Sequence, residues 1–458
     1  MTDKHIQHLY WRAGFGLLPK QLARLSGKSR KELVDELFYN AQHTSPLTFD
    51  TSYFENITRE KYLKMNVKEK RLFREKSAVK VRELNSAWVE RMVNNPCVLQ
   101  EKMLLFWANH FVCQDTNILH VQKYHNTLRE NALGNFGDFV KAISKEASMI
   151  KYLDLKQNKK DKPNENFSRE LMELFTLGVG NYTEDDVKEA AKAFTGYSFE
   201  FQGNFQFNEK QHNADFKFIF NKSGRYDGDM VIDMILEKKQ CAQFICKKLY
   251  RYFVNDVPNK THIEEMTAVF YPDYNIETVM RFIFMSDWFY DEKHIGTKIK
   301  SPIELLVGIQ KVTSLAFQNW QDVIYLQRML GQILLHPPNV AGWEGGQSWI
   351  NSNTILMRLK LASLLLNDGV ISVKEEGDFS DAFQNYYRRI AKNKLTNTEI
   401  NWKRFNSEYK NLTFSEMKKV LIVPPLREQT NDYINKLQKI SIKDQCIQLM
   451  SLPEYQMC

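Results

Sequence analysis

Apolar residues recur three and four positions apart along most of the chain, the period of a helix with one face turned to a core. "KELVDELFYN" (31–40) shows it first. The charged stretch 59–95 predicts one or two long helices that stop before Pro96, because a residue ahead of proline is driven out of helical geometry. "PCVLQEKMLLFWANHFV" (96–112), "VQKYHNTLRENAL" (121–133) and "NFGDFVKAISKEASMIKYLDL" (135–155) continue the pattern. In "PNENFSRELMELFTLG" (163–178), Asn164 or Asn166 suits the N-cap and Gly178 suits a left-handed end. Thr183 ahead of two acids starts another helix.

One segment departs from this period. "FEFQGNFQF" (199–207) alternates about Gly203-Asn204, a hairpin signal, and "FKFIF" (216–220) reads as a third strand. Helical spacing resumes at 230–256 and runs to about residue 366, with a Pro/Gly-rich loop, "HPPNVAGWEGGQSWIN" (336–351), in between. After about residue 370 apolar density falls and Lys, Asn and Glu rise. The chain is therefore expected to be mainly α, a multi-helix globular bundle with one small antiparallel hairpin or meander near 197–220. The expected organisation is a main domain (1–370) carrying that insert and a smaller helical C-terminal appendage (371–458).

Composition narrows the function classes. Hydrophobic residues make up 43% of the 458, enough for a sizeable core. The excess of 63 basic over 55 acidic residues is mild and spread out, unlike the clustered footprint of a nucleic-acid binder. No stretch approaches the roughly 18 apolar residues of a membrane span. The first 20 residues lack the apolar core of a secretion signal and a twin arginine, which predicts a cytoplasmic protein. Co-export with a signal-bearing partner, to the periplasm, is the alternative. Six scattered cysteines form no CxxC pair, so reduced structural thiols are expected rather than a zinc ribbon.

Candidate chemistry comes from polar groups aimed at apolar faces. At about 100° per residue from Phe167, Leu171, Leu174, Phe175 and Leu177 share one side of their helix. Glu170 falls among them, and Glu173 borders the polar side. On "EKMLLFWANHF", His110 shares an arc with Met103, Phe106 and Trp107. A desolvated carboxylate needs a partner, a metal or a proton, and neutral histidine is a common ligand and base. His110, Glu170 and Glu173 are thus candidate catalytic groups and candidate ligands of a divalent metal, although the di-iron signature is incomplete without a histidine at the third position. The plainer alternatives are a hydrogen-bonded core histidine and a structural ion pair of Glu170 with Arg129. Asn164, Asn166, Arg169 and Arg129 are candidates to orient a polar substrate. His212 and Asp215 in a loop, and His336, Asn339 and Trp343 on the stiff 336–351 loop, are further binding candidates. His120 and His125 lie at undiagnostic spacing. Walker, GxSxG and HExxH motifs are absent.

"HLYWRAGFG", "KMLLFWANHF", "YHNTLRENALGNFGDFV", the run from "MIKYLDL" to "KAFTGY", "KKLYRYFV", "SPIEL" and "HPPNVAGWEGGQSWIN" occur in order from about residue 5 to 366. In these the chain resembles the bacterial domain-of-unknown-function family numbered eighteen hundred. The resemblance implies a mostly helical fold, a bacterial origin and genomic pairing with a sulfatase-like, alkaline-phosphatase-type family whose members often bear twin-arginine signals. It brings no established activity. Where the family has His-Asp followed by Gly and Lys, this chain has His212-Asn213 and then Lys217, which leaves Asp215 as the substitute acid. Tyr197 stands where "AFTGW" has tryptophan. Two functions follow as expectations. The first is an enzyme with a buried His/Glu pocket, a metal-dependent hydrolase or an oxidoreductase acting on a polar or cell-envelope substrate. The second is a non-catalytic partner or co-export subunit of the sulfatase-like protein.

Overall fold

A computed structural model describes residues 1–366, 396–435 and 440–458. The expected mainly α architecture is what it shows: helices packed around one large buried cluster, with three small two-stranded antiparallel sheets among the described residues. The charged 59–95 stretch forms two helices, Arg59–Lys64 and the long Val67–Asn94, with Asn66 and Glu69 in a capping box between them. Val98–His110 is apolar nearly all round and accordingly runs through the interior, buried from Leu99 to Trp107.

This central helix also buries Glu101 completely. The carboxylate receives a two-pronged contact from Arg129, with Nη2 at 3.1 Å, and accepts from Trp88 Nε1 at 3.1 Å and Asn95 Nδ2 at 3.3 Å. Arg91 Nε stands 3.0 Å away. A buried carboxylate persists only with such compensation.

Residues 163–178 do not form one α-helix. Asn166–Glu170 is α-helical, and Leu171–Thr176 widens into a π-turn, with Leu177 N–H bonding Met172 O at 2.8 Å. Gly178 ends it at φ +78°, as expected. Ser168 and Met172 are buried, while Glu170 is only half-buried. Thr183 caps Glu184–Ala193 in a capping box with Asp186.

Tyr197–Phe199 pairs with Phe205–Phe207, the expected hairpin. The third strand, Lys217–Ile219, does not join that sheet. It turns back at once through Phe220 and Asn221, both at positive φ, and pairs with Lys222–Gly224. The start of the expected appendage lies outside the described residues. Its described part packs into the large cluster through Phe405, Tyr409, Met417 and Leu449. Thr398–Ile400 pairs with Leu315–Phe317, and residues 456–458 bond to the backbone of Lys298 and Lys300. No helix among the described residues is long and apolar enough to cross a membrane.

Candidate functional site

The π-turn sets up the site. Carbonyls at the end of a helical segment have no partner within it. Here Phe175 O accepts from His110 Nε2 at 3.0 Å, and Leu174 O accepts from Lys248 Nζ at 2.8 Å. Lys248 sits on the Lys239–Phe253 helix and also donates to His110 Nδ1 at 3.1 Å. An ammonium has three N–H groups, so one is left without a hydrogen-bond acceptor among the described residues, and the Phe244 ring lies 4.8 Å from Nζ. Burial draws the Lys248 pKa down to about 8. Burial first, and then the Lys248 charge, holds His110 well below the ordinary imidazole value, so the ring is neutral.

His110 and Lys248 line a cleft of about 500 Å³. Its far wall is the Pro/Gly-rich loop, fixed by an amide clamp. Asn109 Oδ1 accepts from the Trp343 N–H at 2.8 Å and Nδ2 donates to Trp343 O at 3.0 Å. Gly342 lies at φ +77°, and a Cβ there would come within 2.2 Å of Asn109 Oδ1, so only glycine allows the loop to approach this closely. Trp343 and Trp349 contribute aromatic surface. Glu304, from the Pro302–Thr313 helix, supplies a buried carboxylate joined to Lys102. Burial pushes that carboxyl up, but Lys102 and the Ser301 hydrogen bonds outweigh it and leave its pKa below the ordinary value. Lys298 pairs with Asp256 at the rim, and Arg251 has no side-chain partner among the described residues.

The cleft thus unites His110 and Trp343 of the expected residues, while Glu170 and Glu173 stand apart from it. Burial and the Glu173 charge raise the Glu170 pKa, and Glu173 accepts from Tyr182 Oη at 2.9 Å. Neither is among the groups acting on His110. Among the described residues no three His, Cys, Asp or Glu side chains gather as a metal ion requires. His110, Glu170 and Glu173 therefore do not gather as the expected ligand set: the imidazole is spent on backbone and lysine, and Glu173 accepts from Tyr182. Arg129 serves Glu101 rather than Glu170. Asn164 accepts from the Asn166 N–H at 3.0 Å, a local turn, and Arg169 bridges Glu165 and Glu184.

The other candidates have local partners. His212 Nδ1 bonds Thr195 O at 2.9 Å, and Asp215 bonds Asn213. Asn339 closes a turn onto the Ala341 N–H at 2.9 Å, and His336 lies beside Gln114. His120 pairs with Asp115 at 2.9 Å, and His125 packs edge-on to Trp88, so neither joins His110. All six cysteines are unpaired and buried.

Lys248, Glu304 and Asn109 were not singled out from the sequence. Lys248 carried a readable signal, since Phe244, Ile245 and Tyr252 lie three and four residues away on its own helix face. No curated protein and no solved structure matches the chain. The model of one family does, over residues 8–457. That span takes in every wall of the cleft, and the chain belongs to the family described as Protein of unknown function (DUF1800).

Proposed function

We propose that the chain is an enzyme acting on a polar substrate held in the cleft between His110 and Trp343, with Lys248 as the group that takes and returns a proton. The carrying observation is the setting of Lys248. Two of its N–H groups are fixed on Leu174 O and His110 Nδ1, one has no hydrogen-bond acceptor among the described residues, the Phe244 ring lies 4.8 Å from Nζ, and burial lowers its pKa to about 8. A catalytic base works best with a pKa near the working pH, and an ordinary lysine is too basic. His110 positions the amine and stays neutral. Glu304, on the same cleft, completes a His/Glu pocket in which the carboxylate differs from the expected Glu170. Hydrolysis of a polar or cell-envelope substrate is the reaction this supports best, since it asks for a water and a base of this kind. The test is product profiling of a cell-envelope extract incubated with wild type and with Lys248→Met. Products that form with wild type and not with the variant are expected. Identical profiles for both would remove Lys248 from catalysis.

A second reading has its own observation. Phe207, Phe216 and Phe218 are exposed on the two hairpins, at 41%, 67% and 57%. Apolar side chains so placed suit docking to another protein, and the sulfatase-like protein is the partner this reading names. A chain made in the cytoplasm would then reach the periplasm on its signal-bearing partner. Co-purification of the pair, lost in a Phe216→Ser, Phe218→Ser variant, is the expected result. Failure of wild type to co-purify counts against it.

A further inference from the structure

Behind the cleft lies a group of buried cations that outnumber the anions beside them. Arg12 and Lys102 are 2% exposed, and Lys300 and Arg358 are fully buried. They are neighbours. Lys300 Nζ lies between the rings of Trp11 and Tyr455, 3.7 Å and 3.8 Å from their centres. Arg358 Nη2 donates to Lys300 O at 2.6 Å, Lys102 Nζ donates to Trp11 O at 3.3 Å, and Arg12 Nη2 donates to His294 O at 2.7 Å. Cys458 and then Glu304 act on Arg12 and Lys300, Asp256 acts on Arg12 as well, and Glu304 acts on Arg358 and is joined to Lys102. Other carboxylates are committed: Asp256 to Lys298, Glu101 to Arg129, Asp115 to His120 and Lys151.

Arg12, Lys102 and Arg358, with Lys300, whose pKa burial lowers to about 7, thus face one buried carboxylate, Glu304, and the buried Cys458 among the described residues. A buried charge without a counter-charge is strongly unfavourable. Nε and Nη1 of Arg12, Nε and Nη1 of Arg358, the Trp11 indole N–H and the Tyr252 hydroxyl are all buried with no hydrogen-bond partner. These are donors, and two are guanidinium forks, the shape that matches an oxyanion with paired bonds; Gln456 Oε1, His294 Nε2 and the Tyr455 hydroxyl are likewise buried without a partner. Tyr252, Lys298 and Glu304 belong both to this region and to the cleft wall, so the two adjoin.

We propose that this cluster binds an oxyanion, a phosphate, sulfate or carboxylate group of the substrate, reached from the cleft and held by Arg12 and Arg358 with Lys300 beside them. The proposal rests on the enzyme reading and deepens it by making the substrate an anion. Lys248 is then the reacting base and the arginine pair the anchor.

The test uses the full chain and three probes, inorganic phosphate, sulfate and acetate, each against chloride at equal ionic strength, with melting temperature and calorimetric binding as readouts. A saturable rise above the chloride control is expected, and the strongest probe names the group. Arg358→Gln should weaken that binding at least about tenfold, the scale of losing a charged hydrogen bond. Lys248→Met should bind the probe as wild type does, so a failed anion site and a failed base are told apart. If Arg358→Gln does not fold, Arg358→Lys and the wild-type comparison still decide. A response to all three probes no larger than that to chloride overturns the site and leaves the assignment of Lys248 standing.

Discussion

Lys248 Nζ stands 3.1 Å from His110 Nδ1, so the imidazole accepts there and carries its proton on Nε2, where it donates to Phe175 O. One lysine thereby fixes the tautomer of a buried ring and closes the end of a π-turn through Leu174 O. π-turns often mark functional sites. This one exposes the two carbonyls that hold the pair in place.

Replacing Lys248 by Met leaves His110 Nδ1 and Leu174 O bare. Each unsatisfied buried acceptor costs about 1–3 kcal/mol, offset in part because a desolvated charge is removed. A net loss of about 1–3 kcal/mol in urea unfolding is expected. The sharper measurement is nitrogen NMR of His110, in which Nδ1 loses its hydrogen bond while Nε2 keeps its proton. An unchanged Nδ1 resonance contradicts the pairing.

How much of this was legible depended on which physical rule governed each residue. Burial of His110 followed from helical spacing, because Val98–His110 is a regular helix. The same spacing set Glu170 between Leu174 and Leu177, and that grouping fails because the chain leaves 3.6 residues per turn at Leu171, which rotates those two leucines relative to it. Nothing in "LMELFT" announces the change, since most of these residues are good helix formers. Gly178 was readable as a left-handed terminus. The pairing of Arg129 with Glu101 was not, because 28 positions separate them and only packing selects one acid from several.

Glu101 gives the next prediction. Glu101→Gln keeps the volume and removes the charge that compensates Arg129, leaving a guanidinium 1% exposed with no counter-ion on it. Breaking a buried pair from one side costs about 3–5 kcal/mol. The double replacement Glu101→Met, Arg129→Met should cost markedly less than the sum of the single replacements. Additive losses in the double-mutant cycle would show that the pair is not coupled.

Gly342→Ala probes the loop. Alanine resists φ +77°, and its Cβ would collide with Asn109 Oδ1. The clamp on Trp343 should open. A red-shifted tryptophan emission and faster proteolytic cutting between 336 and 351 are expected, with little change in unfolding of the helical body. Asn109→Ala should reproduce both effects, because it removes the same two hydrogen bonds from the other side. Wild-type proteolysis in both variants would mean that the loop is held by something other than the amide.

Acid sensitivity follows from the buried histidines. Burial is the first cause that holds His8, His110 and His125 well below the ordinary value of 6.5, followed by a neighbouring cation in each case, Arg12, Lys248 and Arg129. In the unfolded chain these rings take up protons near pH 6.5, while in the folded chain they stay neutral. The unfolded state therefore binds more protons below that pH, and stability falls as the pH drops from about 6.5 toward 5. Their contribution is fully present at pH 7.5 and above. His110→Gln removes one proton from this balance, so the difference in unfolding free energy between wild type and variant should shrink as the pH falls. The comparison cancels the carboxylates and thiols that both proteins share. A difference that stays level from pH 7.5 to 5 would mean that the folded ring protonates as readily as the unfolded one. In that case Lys248 could not be donating to its Nδ1.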